Sequence, residues 1–294
     1  MVSLPSRWVR DFELGKGDEV EVEELGKQIV VRNEKEIKLD KIQIDISNLD
    51  ERVVVWLLSS LHKAGYDEIS VLYDDPKVIK VVQELIRDLF IGFAIVEQTN
   101  KRCVIKCVSK NLESEFDATL KRAFFVTQNL GESVYEAAKS GNFESASDLI
   151  ALEHTNNQLT NFCERILNKR GYKDYKKSNF IYAIVWNLEK IADDHKHICE
   201  YLSELKKGRI NKQILDLIKK TNDYFKQYFE LFYKFDMEKL SNANKVKKAV
   251  QKEIMNIEAS KKEFALLHHL NSIIAKITDF SGNIIAMHQD GLDA

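Results

Sequence analysis

Leu188-Glu-Lys-Ile-Ala-Asp193 returns near the other end of the chain as Ile274-Ala-Lys-Ile-Thr-Asp279. Lys190 and Lys276, Asp193 and Asp279, and Ile198 and Ile284 are each 86 residues apart. A pattern recurring once at a fixed long distance marks a duplicated unit. The flanking sequence has helical periodicity from Leu112 onward. It predicts helices over 113–140, 143–169, 176–206, 210–234, 236–258 and 260–288. Gly141, Gly171 and Gly208 punctuate the first four, and Phe235-Asp236 precedes the fifth. The expectation is two three-helix bundles in tandem, 111–207 and 208–294.

Upstream the period changes. Residues 37–110 read as β-α-β-α-β-β, a small α+β domain with its helices on one face. Ile42, Ile44 and Ile46 alternate, and a helix from Asp50 to Ala64 stops at Gly65. Asp75-Pro76 starts a second helix, and Thr99-Asn100-Lys101 turns a hairpin. Residues 1–36 hold one helical turn after Pro5 and the strand-like alternations Val20, Val22 and Ile29, Val31. The fold class is mainly α with a smaller α+β part.

Composition narrows the function. Of the 294 residues 31% are charged, yet the net charge is only −2, so bulk charge does not attract nucleic acid. Only 2 Pro and 11 Gly favour long uninterrupted helices. No apolar run reaches membrane-spanning length, and no basic-then-apolar leader is present. Cys103, Cys107, Cys163 and Cys199 form no Cys-x-x-Cys pair and read as reduced thiols. The expectation is a soluble cytoplasmic protein without membrane insertion. No nucleophile–base pair or phosphate loop can be assembled, so an enzyme is not expected.

Glu189 and Asp193 lie one turn apart on a flank of the stripe Ile181, Ile184, Val185, Leu188, Ile191. Glu153 and Asn157 flank the helix 143–169 at the same angles. Hard oxygen ligands from two helices suit Mg²⁺, Mn²⁺ or iron at Glu153, Asn157, Glu189 and Asp193. The competing reading is a solvated acidic face neutralised by Lys190 and Lys196. In the second copy Ser272, Ala275, Asp279, Gly282 and Ala286 occupy the matching flank and read as a packing seam. His195 falls inside the apolar stripe, as a core histidine does. His268 and His269 are adjacent on a helix and cannot chelate together.

Ser3-Leu4-Pro5-Ser-Arg7-Trp8-Val9, followed by Leu14-Gly-Lys-Gly17-Asp18-Glu-Val20-Glu-Val22, resembles a SpoVT/AbrB-type swapped-hairpin domain. Leu188-Glu-Lys-Ile-Ala-Asp193, within the duplicated helical half, is similar to the acidic Glu/Asp-x-x-x-Asp motif of PhoU. The whole chain looks like an archaeal-type PhoU phosphate uptake regulator with an AbrB-like domain in front. The resemblance implies an intertwined homodimer, DNA contacts at Arg7, Arg10 and Lys16, and a metal on the acidic motif. It also implies a regulatory role in phosphate uptake, through a phosphate transporter component or signalling protein. Lys27 and Arg32 would extend the basic surface, while Asp11, Glu13, Asp18, Glu19, Glu21, Glu23 and Glu24 compete with it. Three departures stand out. Only Met1-Val2-Ser3 precedes Leu-Pro, where the family has a full strand. Asn157 replaces an acid, and Trp186 stands near the place of an Arg. The alternative function is a scaffold or adaptor that binds no DNA and docks on a partner through the bundles.

Overall fold

A computed structural model describes all residues except Met1, 26–27, 33–38, 110–111, 142, 206–207 and 290–294. The chain divides into two compact units, Met1–Lys41 and Ile42–Ala294. The first contains helix α1 (Ser6–Asp11) and an antiparallel hairpin of β1 (Glu21–Leu25) and β2 (Gln28–Arg32). Pro5 precedes α1, and Trp8 packs on Phe12 at 5.2 Å.

The second unit opens with a four-stranded sheet in the order β3-β4-β6-β5: β3 (Lys41–Asp45), β4 (Glu68–Leu72), β5 (Phe93–Gln98) and β6 (Arg102–Cys107). Helices α2 (Glu51–Lys63) and α3 (Val78–Asp88) connect its strands in the expected order. Asp50 caps α2 by accepting the Arg52 N–H at 2.9 Å, and Gly65 ends it at φ 102°. Val54, Leu58, Val82 and Leu85 from the helices and Ile69, Val71, Cys103 and Ile105 from the strands build one core. His62, fully buried, stacks on Phe90 at 4.3 Å within it.

The helical part comprises α4 (Phe116–Ser140), α5 (Ile150–Arg170), α6 (Ser178–Leu205), α7 (Lys212–Tyr233), α8 (Met237–Asn256), α9 (Lys261–Thr278) and α10 (Phe280–Met287). Several boundaries differ from the sequence expectation. The first, second and third helices begin as 3-10 segments, Leu112–Glu115, Glu144–Leu149 and Tyr175–Lys177. The last helix is broken at Asp279 into α9 and α10.

The helices fall into two packed groups. α4 and α6 pack on α5, α7 and α9 pack on α8, and the copies join through α4 against α7 and α6 against α9. One hydrophobic core runs through both copies. The two repeated segments meet there: Lys276 donates to Asp194 Oδ2 at 2.5 Å and to the Lys190 carbonyl at 3.2 Å. Gly131 makes the α4–α7 approach close enough that an added Cβ would lie 2.6 Å from Asn222 Oδ1. The Asn222 amide donates to the Gly131 carbonyl at 2.7 Å. The small-residue flank of the last helices is no packing seam within the chain. Ala275, Asp279 and Gly282 are exposed, and a Cβ on Gly282 would meet nothing within 4 Å.

His195 sits in this core as the apolar stripe predicts, and burial lowers its pKa to about 4. Burial likewise holds His62 well below its ordinary value. Each is neutral when folded and takes up a proton near pH 6.5 when unfolded, so stability falls as pH drops below about 6.5. For His195 the loss levels off near pH 4, after up to about 3 kcal/mol. Chemical denaturation between pH 7 and 4.5 should show this slope. His195→Gln should flatten it; an unchanged slope in that variant would contradict the neutral buried imidazole.

Candidate functional site

α5 is buried on every side from Leu159 to Leu167, although Thr160, Asn161, Glu164 and Arg165 lie among those residues. One face packs on α4 and α6, and α2 and α3 of the sheet layer cover the other. The flank that spacing alone would leave to solvent is therefore interior.

Arg165, 2% exposed, reaches into the end of α2. Its Nη1 donates to the His62 and Tyr66 carbonyls, both at 2.8 Å, and its Nη2 to Asp67 Oδ1 at 2.8 Å. Carbonyls at a helix C-terminus lack intrahelical partners and carry partial negative charge, so a guanidinium there is doubly favourable. Lys169, one turn further along α5, pairs with the other Asp67 oxygen and donates to the Gly65 carbonyl at 3.2 Å. Asn168 donates to the Lys63 carbonyl at 2.9 Å. The Arg165 guanidinium also lies 4.8 Å from the centre of the Phe93 ring.

Beside this clamp runs the acidic seam. Glu153, fully buried, accepts from Lys196 at 2.9 Å and from the Asn157 amide at 2.8 Å. Asp193 lies 3.0 Å from Lys190 and 3.8 Å from Lys196. Glu189 lies 3.2 Å from Lys190 and 3.5 Å from Lys63. Lys63 comes from the sheet layer, and its ammonium is also 2.7 Å from Glu164, which is fully buried. The four residues expected to share a metal thus do line one seam between α5 and α6, each carboxylate beside at least one ammonium.

Burial opposes the charge on Lys63, but Glu189 and Glu164 outweigh it and raise its pKa. Burial raises the pKa of Glu164, and Lys63 pulls the other way. The two shifts disagree about how readily the pair ionises. We favour the ion pair, since Lys63 answers two carboxylates at once. Lys190 and Lys196 are raised in the same manner as Lys63, by Glu189 with Asp193 and by Glu153 with Asp193 respectively. Trp186, 43% exposed, is flanked by the ammonium groups of Lys63 at 5.5 Å and Lys190 at 5.0 Å. The donor set is hard oxygen, which suits a divalent cation. Asn157 Oδ1, Asn161 Oδ1 and Glu164 Oε1 are buried without a hydrogen-bond donor among the described residues. A cation would nonetheless compete with three lysines for these carboxylates. Spacing missed Lys63, Glu164, Arg165 and Asp67. Glu164 could have been found by following the Glu153–Asn157 flank one heptad further. Lys63 and Asp67 carry no comparable signal.

The described basic residues of the first unit are exposed. Arg7 lies 3.6 Å from Asp11 on α1, Arg10 donates to the Ser6 carbonyl at 3.4 Å, and Lys16 sits in the turn after α1. Lys27 lies outside the described residues, as does the side chain of Arg32. None of the described side chains of this unit is buried. Val22 pairs with Val31 and Glu24 with Ile29, which puts Val22, Ile29 and Val31 on one face of the hairpin. Val22 is 60% and Ile29 65% exposed.

Residues 1–39 match the family of the antidote-toxin recognition protein MazE, a bacterial antitoxin. The match supports the AbrB-like reading of the N-terminal unit and does not extend to the helical half. Searches of curated proteins and of solved structures found no match.

Removing Lys63 leaves Glu164 buried without its ion-pair partner. Lys63→Met is predicted to cost about 3 kcal/mol in urea denaturation, at the lower end for a broken buried pair because Lys63 is partly exposed. The double change Lys63→Met/Glu164→Leu should recover most of it. A loss equal to that of the single variant would show that the pair itself is not the source.

Proposed function

We propose that this chain is a dimeric regulator. The N-terminal unit assembles with its counterpart in a second copy, and the helical half is the sensing and docking part. The observation that carries the reading is the hairpin face Val22–Ile29–Val31, with Val22 and Ile29 exposed and Val31 half-buried, in a unit with no buried described side chain. A two-stranded hairpin and one short helix do not supply a core of their own. A second copy laid on that face would. The match of residues 1–39 to an antitoxin family supports the same unit in a regulatory role. DNA is the proposed partner of the exposed Arg7, Arg10 and Lys16.

Phosphate status is the proposed signal, and a transporter component or signalling protein the proposed partner of the bundles. Both rest on the resemblance of the helical half to PhoU. The same resemblance, with the hard oxygen donors of the seam, supports Mg²⁺, Mn²⁺ or iron at Glu153, Asn157, Glu189 and Asp193. Because Lys63, Lys190 and Lys196 already answer those carboxylates, the affinity should be modest. The protein is proposed to act in the cytoplasm and to catalyse no reaction. Among the described residues no helix is long and apolar enough to cross a membrane.

One observation favours the scaffold reading over DNA binding. Between Leu4 and Leu25 three basic residues stand against seven acidic ones, and phosphate contacts need local positive charge.

Light scattering on the full chain should give a dimer, and Val22→Lys/Ile29→Lys a monomer with its helical content intact. A wild-type monomer would remove the proposal. Retention on genomic DNA should fall with salt and drop in Arg7→Ala/Arg10→Ala; retention unchanged by that substitution would leave the scaffold reading. Calorimetry with Mg²⁺, Mn²⁺ and Fe²⁺ should show binding weakened in Glu189→Ala, and identical traces would remove the metal.

A further inference from the structure

A different cluster lies where the two copies meet. His197 on α6 and His269 on α9 lie with ring centres 5.1 Å apart and planes 29° apart. Each ring is anchored through Nδ1 by a carboxylate: His197 to Glu200 at 3.0 Å, His269 to Asp194 at 2.9 Å. Asp194 is itself fixed by Lys276 at 2.5 Å. Among the described residues neither Nε2 has a hydrogen-bond partner. His197 is half-exposed and His269 one-fifth exposed, so solvent reaches the pair.

We infer that His197 and His269 form a two-imidazole site for a borderline transition-metal ion, Zn²⁺ above all, which clips α6 to α9. A carboxylate on one ring nitrogen fixes the tautomer and orientation of the imidazole and raises its basicity toward a metal on the other nitrogen. Both rings have that partner. A tetrahedral Zn²⁺ about 2.0–2.1 Å from each nitrogen needs the two nitrogens about 3.4 Å apart, a spacing that rings at this separation can present. Imidazole selects zinc, copper and nickel over the magnesium or manganese that suit the oxygen seam. Water completes the shell, since no third protein ligand stands ready among the described residues. His268, exposed beside His269 with ring centres 5.3 Å apart, points away along the helix and is no part of the pair.

The ion bridges helices from different copies, so it binds the folded chain in preference to the unfolded one and raises Tm. The test is calorimetry and thermal unfolding of the full chain with Zn²⁺ and, separately, Mg²⁺, in wild type, His197→Ala, His269→Ala and His268→Ala. Zn²⁺ should bind one site per chain and raise Tm, and Mg²⁺ should not compete. Either His197→Ala or His269→Ala should weaken binding at least about tenfold, and Glu200→Gln by about tenfold, the scale for losing a group that orients a ligand. His268→Ala should bind as wild type does. Far-UV dichroism and Tm in chelator confirm that each variant is folded. His197 is exposed enough that its replacement leaves the packing intact, so His197→Ala decides alone should His269→Ala unfold. Absence of Zn²⁺ binding by wild type, or binding retained in His197→Ala, overturns the proposal.

Discussion

Arg165 is the constraint on which the second unit depends. A guanidinium with 2% exposure keeps its charge only if its donors are met, and here the end of α2 and Asp67 meet them. Hydrogen bonds to a charged group are each worth about 1.5–3 kcal/mol, and neither side can be relocated without stranding the other. The sheet layer is therefore fixed on α5, which explains why α5 is polar and buried at once. It also brings Lys63 between Glu164 and Glu189. A lysine of one structural layer becomes the counter-charge of an acidic seam in another.

The two sequence copies differ around this arrangement. The copies share one core and meet through their equivalent third helices, with Lys276 bonded to Asp194. In the first copy the middle helix α5 is covered by the sheet layer and carries the acids. In the second, Asn244 and Lys248 of α8 are exposed, as is the flank Ala275–Gly282. Charge and burial distinguish the two halves.

The helical order and the sheet layer were legible because each is written in local periodicity. Apolar residues at three and four places apart mark a helix whatever it later touches. The same rule misplaced the start of α5, since burial three residues apart, at Phe143 and Ala146, fits a 3-10 segment and a helix alike. The Glu153–Glu189 side of the site was legible because both residues sit on regular helix flanks. Its lysine from α2 was not, because about a hundred residues separate Lys63 from Glu164 and no periodicity spans that gap. Exposure was misjudged for one reason: spacing gives the face a side chain occupies, but not whether another layer covers it.

The clamp is tested most directly by amide hydrogen exchange on the full chain carrying Arg165→Met. If Arg165 fastens the sheet layer to α5, protection should be lost at the end of α2 and through residues 62–67, then across the layer. The α6–α9 contact should keep its protection. Exchange unchanged at 62–67, or raised equally in α6 and α9, would contradict the account.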